Sequence, residues 1–194
     1  MPAISYGGPE VPPDQPSPES QKLAESGVLI QFLADLDERL LPKDPVTRAK
    51  ARFFIETVTP LISNTFYGSL SRGEDPEAVL KAFESIQKLL PEEGYAVGEW
   101  SIADAAVTPF FARAELAFTN DYGKYEEGKG KAVWEKLQTD EKYARFCKYY
   151  EDLKSRPSFN ATFYPVCRFA YLDSCVQVGT PSDILLVFRM WSAK

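Results

Sequence analysis

The sequence predicts a mainly α fold, a helical domain preceded by a small α/β piece, and three observations carry that prediction. Helix-start signals recur, at Asp44-Pro45, at Asp75-Pro76 and at Ser101 with Asp104, each followed by apolar residues at helical spacing. The stretch Gly98 to Phe118, GEWSIADAAVTPFFARAELAF, is apolar on most of its helical faces, which marks a helix buried at the centre of a domain. Ahead of residue 37, two short extended stretches flank a proline-rich loop and lead into a further helix.

The totals fit a soluble protein of one or two small domains. The chain has 194 residues, 44% hydrophobic and 26% charged, which is ample for a core. A net charge of −6 argues against nucleic acid or an anionic membrane surface as partner. There is no histidine, which removes Ser–His and Cys–His nucleophiles and every histidine metal ligand. No ligand cluster or Gly-rich phosphate loop is present, so no metal or nucleotide site is expected. Cys147, Cys167 and Cys175 show no CxxC spacing and cannot all pair, which suits a reducing compartment. The N-terminus has no signal-peptide pattern, and the longest apolar run, Ile184 to Phe188, is too short to span a membrane. A cytoplasmic setting is expected.

The elements follow in order. Pro2 to Tyr6 is a short strand, and Gly7 to Ser20, with Pro9, Pro12, Pro13, Pro16 and Pro18, is a mobile surface loop or a docking site for a proline-recognition module. Gln21 to Ala24 is a second strand. Glu25 and Ser26 then open a helix to Leu36 whose inward stripe is Val28, Leu29, Phe32, Leu33 and Leu36. Free N–H groups and the positive end of the helix dipole at that start favour a carboxylate. After a linker, Asp37 to Asp44, a long helix runs from Pro45 to about Ser71, kinked at Pro60, with Ala49, Phe53, Val58, Leu61, Ile62, Thr65, Phe66 and Leu70 inward. The next helix runs to about Leu90 and completes a helical hairpin. In the core helix, Ser101 and Asp104 read as a capping box rather than a catalytic pair, because helix initiation itself needs that spacing. Helices at about Ala132–Gln138 and Asp140–Lys154 follow. The last has Tyr143, Phe146, Cys147, Tyr150 and Leu153 inward, which makes Cys147 a core thiol. Arg156-Pro157 ends it.

Gly98-x-x-Ser101-Ile102-Ala103-Asp104, opening a buried helix, resembles the core-helix signature of the helical C-terminal domain of glutathione transferases. The order strand, strand, Glu-Ser, helix is similar to the end of the family's thioredoxin-like domain, and the Arg-Pro-Ser segment also has a counterpart there. The resemblance implies residues 1–36 as a remnant of the glutathione-binding domain, 37–165 as the helical domain and 166–194 as an atypical tail. It implies that Pro2 stands at the cis-proline position and that Met1 pairs through its backbone with the cysteinyl part of glutathione. Glu25 and Ser26 would hold the γ-glutamyl amine and carboxylate. Phe53, Phe54, Thr57 and Phe110 would line the pocket for the electrophile, and the hairpin would contribute to a homodimer.

The implied activity is glutathione transfer, in which the glutathione thiol ionises and attacks an electrophile or a disulfide. The lack of histidine looks closest to omega-like and related fungal or bacterial branches. The family's thiol-activating Tyr, Ser or Cys lies ahead of the cis proline, so no catalytic residue is assigned and impaired activity is expected. Two alternatives stay open: a non-catalytic scaffold for protein assembly, and a truncated product. The tail reads equally as a cover for the helical domain or as sequence from an altered gene model.

Overall fold

The computed structural model describes residues 3–163 except 10, 13, 14 and 16. Met1 and Pro2, and the tail with Cys167 and Cys175, lie outside the described residues. The fold is mainly α, with one small sheet, as the sequence predicts.

Strands β1 (Ala3–Tyr6) and β2 (Gln21–Ala24) pair antiparallel, Ile4 opposite Leu23. The loop between them is less free than its prolines suggest. Ser17 and Ser20 are buried, and the Lys22 ammonium donates to the Ser17 carbonyl at 2.8 Å and the Ser20 hydroxyl at 2.6 Å. Helix α1 (Ser26–Leu36) packs on the hairpin, with Tyr6 edge-on to Phe32 at 4.9 Å.

Helix α2 (Pro45–Tyr67) starts where Asp44 accepts from the Thr47 N–H, at 2.7 Å. Its end differs from the sequence reading. It passes into one π-helical turn, Gly68–Arg72, and stops at Gly73 in the left-handed region, φ 73°. Thr65, Ser69 and Ser71 hydroxyls all donate back to carbonyls one turn earlier, competition of the kind that loosens a helix. Helix α3 (Glu77–Gln87) antiparallels it and ends before Leu89 and Leu90.

Helix α4 (Ile102–Thr119) is the core helix, packed against α1, α2, α5 (Lys129–Thr139) and α6 (Ala144–Lys154). A 3₁₀ turn, Glu141–Tyr143, precedes α6. Helix α6 ends before Arg156-Pro157, as expected, and Pro157 at a first-turn position starts a further helix, α7 (Pro157–Thr162).

The body is held by aromatic packing. Phe83 stacks on Phe146 at 4.2 Å, and Phe111 meets Phe146 edge-on at 5.2 Å. All three are fully buried, and such pairs add about 1 kcal/mol beyond their area.

The inward stripes expected on α1 and α2, and the all-round burial expected of α4, need correction. On α1 only Leu29 and Ala34 are buried, and Val28, Leu33 and Leu36 are exposed. On α2 it is Phe54 that is buried, while Phe53 is 62% exposed and Ala49 is exposed. On α4, Ala105, Ala106, Pro109, Phe110, Arg113 and Leu116 form one half-exposed stripe. A helix apolar nearly all round gives its periodicity no phase, so the neighbours decide which face is covered.

Candidate functional site

The strongest candidate lies where the hairpin turns into α1. Glu25 occupies the N-cap position with φ 73° and ψ 119°, a left-handed conformation that costs a non-glycine residue about 1–3 kcal/mol. Only Asp121 shares a positive φ among the described non-glycine residues. The Glu25 carbonyl accepts from the Leu29 N–H at 2.8 Å and so starts the helix, but no side chain caps it. The first turn carries no acid. Glu25 and Ser26 are both exposed. The arrangement therefore offers a free carboxylate, a hydroxyl and uncapped N–H groups at the positive end of a helix, side by side. That set suits a ligand carrying an ammonium and a carboxylate on one carbon.

Two of the four expected pocket residues share a groove. Phe53 and Phe54 line a groove of about 430 Å³ with Thr47, Lys50, the end of the α3 segment at Leu89 to Pro91, and Ala96 to Gly98. Thr57 and Phe110 are outside its lining. Thr57 is half-buried one turn along α2. Phe110 lies in the half-exposed stripe of α4 with the Arg113 guanidinium 4.8 Å over its ring.

Ser101 and Asp104 act in the fold. The Ser101 hydroxyl accepts from the Ala103 N–H at 3.2 Å, and Asp104 Oδ2 accepts from the Ser101 N–H at 2.9 Å. Asp104 Oδ1 reaches further, accepting from the Ala96 N–H at 2.9 Å and the Tyr149 hydroxyl at 2.7 Å. One buried carboxylate thus ties α4, the loop before it and α6. Burial raises the Asp104 pKa despite these donors, and burial beside Asp104 pushes Tyr149 well up. Sequence reading missed Tyr149. Its signal was its spacing, three after Phe146 and four before Leu153 on the inward face of α6.

Cys147 is half-buried, its thiol donating to the Leu137 carbonyl at 3.1 Å, and burial raises its pKa. A thiol held protonated in this way is a poor nucleophile. No group of acids and cysteines among the described residues could hold a metal ion. No helix among them is long and apolar enough to cross a membrane.

No family model and no curated protein matches the chain. Solved structures do. Glutathione transferase Omega 1C from Trametes versicolor is 51% identical with a TM-score of 0.84, over 89% of this chain and 74% of that one. Omega 2C from the same fungus is 48% identical with a TM-score of 0.82, over 89% and 75%. Omega 2S, in complex with 2,4-dihydroxybenzophenone, is 42% identical with a TM-score of 0.81, over 90% and 77%. The short α/β front and the helical body around α4 match these structures together. The chain belongs to the glutathione transferase family, and these similar structures are of its Omega type.

Proposed function

We propose that the chain binds glutathione at the start of α1 and serves its transfer to a small electrophile. The observation that carries this reading is the strained Glu25 opening an uncapped helix. Strain of this kind persists where surrounding structure over-determines it and is concentrated at ligand sites. The positive φ sets the Glu25 carboxylate and the first α1 N–H groups toward one ligand. The carboxylate takes the γ-glutamyl ammonium, while the Ser26 hydroxyl and the helix N–H groups take its carboxylate, with the helix dipole adding roughly 0.3–1 kcal/mol. Met1, through its backbone, and Pro2 complete the cysteinyl contact in this reading, and residues 1–36 form the glutathione half beside a helical domain, 37–165.

The chemistry is the formation of a sulfur–carbon bond. The glutathione thiol gives its proton to water or a base, and the thiolate attacks a carbon of the electrophile. It either expels a leaving group with its bonding pair or adds across a π bond whose electrons then take up a proton. Phe110, under the Arg113 guanidinium on the half-exposed stripe of α4, supplies an apolar surface with a cation beside it. Thr57 belongs to the same proposed set of electrophile contacts. The relative's complex with 2,4-dihydroxybenzophenone supports an aromatic compound as the class of small ligand. A homodimer in the cytoplasm completes the proposal.

The test is calorimetric titration of glutathione into the whole chain and into the Glu25→Ala/Ser26→Ala variant. Millimolar or tighter binding that the double variant abolishes is the expected result. Absence of binding by a folded, helical wild-type chain overturns the reading and leaves a non-catalytic scaffold.

A further inference from the structure

Glutathione carries one ammonium and two carboxylates, and the charges of the front domain match only part of that set. Residues 1–36 hold one basic side chain, Lys22, against five acids, Glu10, Asp14, Glu19, Glu25 and Asp35. Lys22 is committed to the fold. Its ammonium donates to the Ser17 carbonyl at 2.8 Å, the Ser20 hydroxyl at 2.6 Å and the Ser5 hydroxyl at 3.2 Å. These acceptors use all the N–H groups an ammonium has. Ser17 and Ser20 are buried, so turning Lys22 toward a ligand would leave a buried turn short of a donor.

The next cation along the chain is also taken. Arg39 grips the Asp37 carboxylate through two donors, at 2.8 and 2.5 Å. Glu19 and Asp35 stand exposed and add negative charge to the same domain. The positive pole that the front leaves open is the start of α1, where no side chain caps the helix and the first turn carries no acid. One carboxylate fills it. In the reading above, that carboxylate is the one on the γ-glutamyl head.

We infer that this site selects γ-glutamyl thiols as a class, whatever follows their cysteine. It takes γ-glutamylcysteine, and glutathione esterified at its glycine, as well as glutathione itself. The inference rests on the glutathione reading and goes beyond it by naming which end of the ligand is recognised. Glu25, Ser26 and the α1 N–H groups read the amino-acid head. The glycine carboxylate stays in water, where salt screens it from the acids nearby.

The test is calorimetric titration of glutathione, its glycine monoethyl ester, γ-glutamylcysteine and cysteinylglycine into the whole chain. The first three are expected to bind with dissociation constants within about threefold of one another. Cysteinylglycine, which lacks the γ-glutamyl head, should not bind at millimolar concentration. Glu25→Ala should weaken all three ligands. Lys22→Ala, with its fold checked by circular dichroism, should leave their ratios unchanged. A charge-assisted contact to the glycine carboxylate would be worth about tenfold or more. A loss beyond about threefold on esterification or on removal of the glycine, with glutathione itself bound, therefore overturns the inference and leaves the glutathione reading intact. So does a Lys22→Ala chain that loses affinity for glutathione but not for its ester, which assigns the glycine carboxylate to Lys22. No glutathione binding by the folded chain, or cysteinylglycine binding as well as glutathione, overturns both readings.

Discussion

The front of the molecule and its helical body are both rich in apolar residues, but they bury very different shares of them. In α4 the faces carrying Ile102, Val107, Phe111, Ala114 and Phe118 are sealed against neighbouring helices. In α1, where six of eleven residues are Val, Leu, Ile or Phe, only Leu29 of these is buried, and Val28, Leu33 and Leu36 are each about half exposed. The body also holds the Asp104 carboxylate with donors on both of its oxygens. The front holds a strained, uncapped start at Glu25. Stability is thus concentrated in the body, and the candidate ligand site sits on the less protected part, as expected of sites that must meet a ligand.

The largest expected effect separates the two regions directly. Phe111→Ala should cost about 4 kcal/mol in chemical denaturation, as loss of a fully buried ring does. Leu33→Ser on the exposed face of α1 should stay within about 0.5 kcal/mol. Similar costs at the two positions would show that the front is as well packed as the body.

A smaller effect sharpens the account of the Asp104 hub. Asp104→Asn should lose about 2 kcal/mol at neutral pH, because an amide nitrogen cannot accept from the Ser101 N–H. The gap should also depend on pH. Burial raises the folded carboxyl above its ordinary value of 3.8, so protonation favours the folded wild type. That contribution is complete below 3.8 and fades as pH rises through the folded value. The stability difference between wild type and variant should therefore widen as pH falls from neutral toward about 4. A gap that narrows would mean that the donors to Asp104 outweigh its burial.

The smallest expected effect has the opposite sign. Glu25→Gly relieves the left-handed backbone and should stabilise the chain by about 1 kcal/mol while weakening glutathione severalfold. Stabilisation with glutathione affinity unchanged would detach the strain from ligand binding.

Much of the fold was legible because its signals are local. Asp44-Pro45 and Ser101 with Asp104 each satisfy backbone groups within a few residues, so short sequence is enough to place them. The candidate ligand dipeptide was legible as a polar pair at a helix start and, through the family resemblance, as the expected γ-glutamyl contact. Its positive φ could not be read, since Glu itself disfavours that conformation. The Arg145 contacts with the 91–94 loop and the Tyr149 bond to Asp104 join residues about fifty and forty-five apart, and no periodicity reports them.

By itself the sequence determined that this chain is helical, where its helices start, and which helix is central, because capping and apolar patterning are properties of neighbouring residues. The tertiary structure alone decided that Phe54 is buried and Phe53 is not, that one stripe of α4 stays half open, and that α1 keeps most of its apolar face in water. Those choices depend on which surfaces meet, and a helix that is apolar on most sides leaves them undetermined until its neighbours are in place.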